Sequence, residues 1–116
     1  MTELLTTQAL SRAASLDLHM QNHGKPIGAL HGLPISVKES IGMKGLDLNA
    51  GFVSWVGRVG KEDALILQIL GEAGAVFYAR TTLPQSIMHL ETSSNLYGYE
   101  TCVSLFLQSF CIEMLK

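Results

Sequence analysis

The fold is decided by residues 65–80, which read LILQILGEAGAVFYAR. Nearly every side chain within residues 64–73 is apolar, which predicts a helix that its neighbours bury on several faces. Asp63 is predicted to cap this helix and Gly74 to end it. Residues 75–80 form a near-continuous apolar run, typical of a strand that is covered on both faces of a sheet. A helix, a tight glycine turn and such a strand together predict an α/β layered domain.

Two further elements precede this unit. Apolar side chains recur every three or four positions along residues 3–21, which predicts a helix that Thr2 caps and Gly24 ends. Residues 35–40, ISVKES, then predict a short strand with one apolar face. The other face of that strand carries a hydroxyl, an amine and a hydroxyl, from Ser36, Lys38 and Ser40.

Composition and charge exclude several classes of protein. The formal net charge is -2 and the eight lysines and arginines are scattered, so we expect no binding to nucleic acid or to anionic membranes. Neither a signal peptide nor an apolar run long enough to span a membrane is evident. Cys102 and Cys111 form neither a disulfide framework nor a zinc spacing. We therefore expect a cytoplasmic protein.

Lys38 is the first candidate for chemistry, because an ammonium group is costly to bury in an apolar strand unless it is paired or neutral. One interpretation is a neutral lysine that acts as a general base. The other is a lysine at the strand edge whose stem is buried and whose charged end is in water. A local dyad with Ser36 or Ser40 is disfavoured, since residues two apart on one face lie about 6.5–7 Å apart along the strand.

No metal or cofactor motif stands out. His19 and His23 are four residues apart and share a helix face, but no acidic or thiol ligand accompanies them. We interpret them as a solvated helix end. A phosphate loop, a dinucleotide fingerprint and a G-x-S-x-G nucleophile motif are all absent from the sequence. We therefore expect neither a metal nor a cofactor.

Several blocks of the sequence, in order, resemble one family. Residues 28–39, GALHGLPISVKE, resemble the strand of amidase-signature enzymes that carries their catalytic lysine. Residues 62–77 resemble the helix and strand that come next in that family. Residues 81–86, TTLPQS, and 91–98, ETSSNLYG, resemble the block after that. The order and spacing agree along residues 3–98 and are most similar to the fungal, fatty-acid-amide-hydrolase-like branch.

The resemblance implies a reaction, a fold and two site residues. The family hydrolyses carboxylic amides with a serine–cis-serine–lysine triad, on an α/β/α layered domain with a mixed sheet. Its neutral lysine accepts a proton through the bridging serine, so that the nucleophilic serine attacks the carbonyl and forms an acyl-enzyme that water hydrolyses. By this resemblance Lys38 is the relay lysine, and Ile87 matches a position whose backbone lines the substrate pocket in some members. The implied substrate is a small-molecule amide.

The sequence departs from the family pattern after Gly98. In the family, a Gly-Gly-Ser-Ser-Gly-Gly segment that supplies the bridging serine comes next, and the nucleophile follows it. This sequence contains no Gly-Gly dipeptide, and it continues into an apolar stretch without glycine or proline. We therefore expect residues 1–98 to be the amino-terminal part of an amidase domain. Residues 99–116 are expected to be a tail foreign to the family, produced by truncation or by a faulty gene model.

Three functions remain open. The chain is part of an amidase and is inactive alone, because Lys38 then has no nucleophile to deprotonate. Alternatively, it is a short non-catalytic protein that binds a partner through the apolar residues 99–116. The third possibility is a hydrolase whose serine loop comes from another chain. A slice of a larger sheet leaves strand edges and apolar faces open, so we also expect low solubility or partial folding.

Overall fold

The computed structural model describes residues 1–89 and 92–99. The described residues form short strands and two α-helices, with brief 3-10 turns at Val53–Trp55 and Gln85–Ile87. In chain order the elements are β1 (Glu3–Leu4), α1 (Thr6–His23), β2 (Pro34–Lys38), α2 (Leu65–Glu72), β3 (Val76–Thr81), β4 (Ser93–Ser94) and β5 (Gly98–Tyr99). Residues 100–116, which include most of the predicted tail and both cysteines, lie outside the described residues.

A mixed three-stranded sheet has β3 at its centre, in the order β1-β3-β2. Strand β2 runs parallel to β3, and β1 runs antiparallel to it. The register places Val37 opposite Arg80 and Lys38 opposite Thr81, after an irregularity between Ile35 and Ser36. The apolar run of residues 75–80 is therefore the central strand, and the predicted α/β class with a mixed sheet is confirmed.

The structure at the start of the chain corrects two predictions. Helix α1 begins at Thr6 and not at residue 3, because Glu3 and Leu4 pair with the open edge of β3 instead. Thr2 does not cap the helix: its backbone N–H donates to the carbonyl of Arg80 at 2.9 Å, and the cap position, Leu5, makes no side-chain hydrogen bond. An unpaired strand edge offers more backbone hydrogen bonds than one cap does, so β1 forms.

Helix α2 and strand β3 lie within one residue of their predicted bounds, but the predicted cap of α2 is wrong. The position before the helix is Ala64, which makes no side-chain cap. The carboxylate of Asp63 instead accepts a hydrogen bond of 2.7 Å from the backbone N–H of Lys44. Asp63 therefore fastens the loop after β2 to the start of α2.

The turn between α2 and β3 packs against residues 28–33. Gly74 has a φ of 101°, and a Cβ atom there would lie 2.7 Å from the Cα of His31. The N–H groups of Leu30 and Gly32 donate to the carbonyls of Ala73 and Gly74, both at 2.9 Å. Only glycine fits this backbone conformation and this contact. Residues 28–33, which lead into β2, are thereby fixed to the end of α2.

The core is small and leaves much of α2 uncovered. Its buried cluster consists of Leu5, Val37, Met43 and Leu67. On α2 only Leu67 is buried, whereas Leu65, Ile66 and Ile69 are 71%, 49% and 51% exposed. The prediction that several neighbours bury this helix does not hold within the described residues, while the expectation of uncovered apolar faces is confirmed.

Neither helix in the described part of the chain combines the length and the apolarity that crossing a membrane requires.

Candidate active site

Lys38 is the last residue of β2 and lies beside the end of β3. Its side chain is half-buried, and its Nζ donates a hydrogen bond of 3.0 Å to the carbonyl oxygen of Thr82. Burial and then the positive charge of Lys38 lower the pKa of the Met1 ammonium group, so the start of the chain lies within the electrostatic range of this amine. The strand end thus holds the Lys38 amine in a defined place with one backbone acceptor.

Ser36 and Ser40, the alternative partners of Lys38, are not joined to it. Ser36 is exposed and Ser40 is half-buried, and among the described residues the Lys38 amine donates to Thr82 and to neither serine. A dyad within the strand is therefore not formed. Any hydroxyl that exchanges a proton with Lys38 has to come from another part of the protein.

Thr82, whose carbonyl accepts the hydrogen bond from Lys38, also has a buried polar side chain. Its side chain is almost fully buried, and its Oγ1 has no hydrogen-bond partner within the described part of the chain. Its carbonyl is the acceptor for Lys38. Burying a hydroxyl without a partner costs free energy, so this is an unusual position for threonine.

Glu39, the residue after Lys38, is buried and holds a turn of the following loop. Its carboxylate accepts hydrogen bonds from the backbone N–H groups of Asn49 at 2.5 Å and Ala50 at 2.8 Å. Ala50 has a φ of 50°, a left-handed conformation that is uncommon for alanine. The side-chain oxygen of Asn49 accepts from the N–H of Gly51 at 2.9 Å, and its amide donates to the Tyr97 hydroxyl at 2.6 Å.

Arg80 is fully buried and balances the charge of Glu39. Its Nη2 donates to the carbonyls of Glu39 and Asp47 at 2.8 and 2.7 Å, and lies 3.7 Å from a carboxylate oxygen of Glu39. Its Nη1 donates to both carboxylate oxygens of Glu3 at 3.2 Å. Arginine suits a buried position between two carboxylates and two carbonyls, because its N–H donors form a rigid, planar fork.

Ile87 lies in a strained turn that packs on the turn held by Glu39. Ser86 and Ile87 have φ values of 52° and 60°, and a β-branched residue in that region is a conformational outlier. A Cβ atom on Gly51 would lie 2.8 Å from the Cα of Gln85, so the two turns are in direct backbone contact. The N–H of Ser86 also donates to the carbonyl of Ala50 at 3.2 Å. The Ile87 side chain is mostly exposed.

Sequence reasoning predicted Lys38 and Ile87 as site residues and did not single out Glu39 or Arg80. The sequence did contain a signal for both residues: Arg80 is a charged residue at the end of an apolar run, and Glu39 is an acid directly after Lys38. Nothing in the one-dimensional pattern indicated that Glu39, directly after β2, lies beside Arg80 of β3. Their pairing depends on the parallel register of β2 and β3.

The histidines gather on the surface but form no metal centre. The rings of His19 and His23 stack with centroids 4.3 Å apart, and the ring of His31 lies 6.4 Å from that of His19. Partial burial, followed by the charges of His23, His31 and Lys25, lowers the pKa of His19. Within residues 1–89 and 92–99, no group of three or more His, Cys, Asp and Glu side chains is placed to hold a metal.

Known proteins resemble this chain over most of its length. The profile of the family described as Amidase matches residues 1–102. An acetamidase of Emericella nidulans is 40% identical over 96 residues, which are 83% of this chain and 18% of that protein. Amidase 2 of Gibberella moniliformis is 42% identical over 101 residues, 87% of this chain and 20% of that protein.

Solved structures give the same result for the fold. A fatty acid amide hydrolase superposes with a TM-score of 0.81 at 37% identity, over 85% of this chain and 17% of that one. A peptide amidase from Stenotrophomonas maltophilia superposes with a TM-score of 0.61 at 32% identity, over 72% of this chain and 17% of its own. The chain spans about a fifth of the length of the relatives that it matches.

Proposed function

We propose that this chain, which belongs to the amidase family, supplies the lysine of a serine–cis-serine–lysine triad that hydrolyses carboxylic amides. The observation that carries the proposal is the placement of Lys38. Lys38 is half-buried at the end of β2 and its amine donates to one backbone carbonyl, while neither Ser36 of the same strand nor Ser40 of the following turn binds it. This arrangement suits a base that receives a proton from a hydroxyl of another segment.

The chemistry that we assign to Lys38 is proton transfer. In the proposed reaction the neutral amine takes a proton from a bridging serine, which takes one from the nucleophilic serine as that oxygen attacks the amide carbonyl. The proton then passes back to the leaving nitrogen, and water hydrolyses the resulting ester. Residues 1–116 contain no Gly-Gly dipeptide and hence no Gly-Gly-Ser-Ser-Gly-Gly segment to provide the bridging serine. The proposal therefore includes that residues 1–116 are inactive alone.

Ile87 is proposed to contribute to the substrate pocket through its backbone. Left-handed conformations at both Ser86 and Ile87 turn backbone groups away from the regular hydrogen bonding of a strand or helix. Strain of this kind persists where the surrounding structure enforces it, and here the 49–51 turn does so. The substrate class would be a small-molecule amide, and the reaction would take place in the cytoplasm.

A grafting experiment tests the role of Lys38. Residues 1–98 replace the matching segment of the Emericella nidulans acetamidase, and Lys38→Met is compared with Lys44→Met, whose side chain is exposed. We expect Lys38→Met to lower kcat for acetamide by about 100-fold to 10,000-fold, the usual contribution of a general base. Lys44→Met should change kcat by less than about twofold. Equal effects of the two substitutions would contradict the proposal.

A second experiment separates the amidase from a non-catalytic binding protein, an alternative that the exposed apolar residues of α2 favour. Residues 1–116 are treated with a serine-directed fluorophosphonate, and the messenger RNA is sequenced across the codon for Gly98. We expect no labelling, and a message that continues into a Gly-Gly-Ser-Ser-Gly-Gly segment. Labelling of Ser36 or Ser40 would contradict the assigned triad. A message that ends after Lys116 would favour the binding protein.

A further inference from the structure

The strongest unassigned feature of the molecule is the buried pair of Glu39 and Arg80. Both side chains are essentially inaccessible to solvent, with Nη2 of Arg80 3.7 Å from a carboxylate oxygen of Glu39. A buried ion pair is weak evidence for stability, because desolvation of the two charges offsets their attraction. Fixing the local geometry is the better-attested role of such a pair. This pair lies beside Lys38, so the backbone around Lys38 is what it would fix.

Arg80 fixes the backbone around Lys38 from the opposite face of the sheet. Lys38 is opposite Thr81 and Val37 is opposite Arg80, and successive residues of a strand point to opposite faces. The guanidinium therefore acts on Lys38 only through the main chain. It does so by binding the carbonyl of Glu39, the residue after Lys38, at 2.8 Å. Arg80 also belongs to the strand that continues into Thr82, the acceptor for the lysine amine.

Glu39 extends the same network to the strained turn at Ile87. Its two carboxylate oxygens bind the N–H groups of Asn49 and Ala50, and the Ala50 carbonyl accepts the N–H of Ser86. Hydrogen bonds thus join Arg80 to the main chain of Glu39, the Glu39 carboxylate to the 49–51 turn, and that turn to Ser86, the residue before Ile87. Two separate elements of the proposed site, the amine and the strained turn, are attached to one ion pair.

We propose that Glu39 and Arg80 are positioning residues that set the Lys38 amine relative to the Ser86–Ile87 backbone. The inference rests on the proposed function for its catalytic meaning. Whether the buried pair holds the Lys38 amine and the Ser86–Ile87 backbone in place can be measured without catalytic turnover. Neither side chain contacts the substrate in this proposal, and both act through the main chain.

The test uses the grafted acetamidase that carries residues 1–98, in which this segment has the rest of an amidase domain around it, and two mass-spectrometric measurements. Hydrogen exchange is followed in peptides that cover residues 47–52, residues 84–88 and α1. The rate of Lys38 acetylation is measured against pH, with the exposed Lys44 as internal reference. The variants are Glu39→Gln, which turns one acceptor oxygen into a donor, and Arg80→Lys, which removes the fork. The matched control is Glu3→Gln, since Glu3 also binds Arg80 but is far from the 49–51 turn in the network.

We expect Glu39→Gln to raise exchange in both loop peptides about tenfold while α1 stays protected. It should also change the pH profile of Lys38 acetylation, but because it removes a charge next to Lys38, the charge-conserving Arg80→Lys decides whether position is responsible. Arg80→Lys should change the same readouts, because one ammonium cannot hold Glu39, Asp47 and Glu3 together. Glu3→Gln should leave both loop peptides and the Lys38 profile as they are.

Several outcomes would overturn the proposal. One is a grafted acetamidase without these substitutions whose loop peptides exchange at the rate of unstructured peptides. Another is a Glu39→Gln variant in which the loops loosen while the Lys38 profile is unchanged. If Glu39→Gln and Arg80→Lys both expose α1 as much as the loops, the pair is a stability element and the proposal is wrong. Failure of Lys38→Met to slow the grafted acetamidase would instead remove the proposed function and leave these measurements intact.

Discussion

At the scale of single residues, the polar groups of this chain are explained by partners that are distant in sequence. Arg80 is buried among groups from three segments of the chain, and Glu39 reaches ten and eleven residues ahead to bind two backbone N–H groups. These contacts depend on sheet register and loop path, which a pattern of residue types does not encode. Lys38 drew notice by its unusual place in an apolar strand, its predicted role came from the family resemblance, and its environment was not predicted.

The histidine cluster gives a prediction at this scale. The pKa of His19 is lowered by partial burial and then by His23, so His19 should titrate below the ordinary value of 6.5. The unfolded chain then takes up the proton first as the pH falls. His19 therefore contributes stability above pH 6.5, and that contribution is lost as the pH falls through its folded-state pKa.

The check is an NMR titration of the histidine Cε1 protons. His23→Gln should raise the midpoint of His19, although not to the ordinary value, because partial burial is the larger cause. Lys25→Gln serves as the control and should raise it less, since Lys25 is the weakest of the charges involved. A midpoint that His23→Gln does not move would show that the stacked ring is electrostatically irrelevant.

At the scale of elements, the positions of the apolar helix and strand could be predicted from local hydrophobicity. The capping contacts could not, because the same groups had other partners available. Helix α2 and strand β3 were located within a residue, because their apolar runs admit few alternatives. Both predicted N-caps were wrong, whereas Gly24 ends α1 as predicted. The backbone of Thr2 joins the edge of β3, and the carboxylate of Asp63 binds the N–H of Lys44. Capping competes with tertiary contacts that no local pattern contains.

The turn after α2 provides a test at this scale. Gly74 and Gly57 have similar left-handed φ values of 101° and 86°, but only at Gly74 would a Cβ meet backbone atoms, with His31 Cα at 2.7 Å. Gly57→Ala should cost about 1–2 kcal/mol of local stability from its conformation alone. Gly74→Ala should cost about 3 kcal/mol or more, since the segment of residues 28–33 has to move away. Hydrogen exchange of β3 peptides measures the difference, and equal costs would mean that this contact is not tight.

At the scale of the whole molecule, the chain spans about a fifth of the length of its amidase relatives, and its apolar faces are larger than its own core covers. The sheet has three strands, two of them at its edges, and α2 carries three exposed aliphatic side chains against one that is buried. Exposed strand edges and contiguous apolar patches promote association between copies. We therefore expect residues 1–116 to self-associate or to fold only in part when expressed alone.

Charge substitutions on α2 separate association through this helix from a general failure to fold. Leu65→Glu and Ile69→Glu replace side chains that are 71% and 51% exposed, so together they should raise the soluble, monomeric fraction measured by sedimentation velocity. Leu67→Glu is the matched control on the same helix. Leu67 is buried in the core cluster, and an unpaired charge there should abolish hydrogen-exchange protection of β3. A wild-type chain that is already soluble, monomeric and unfolds cooperatively would contradict the prediction, because the uncovered face of α2 would then need no partner.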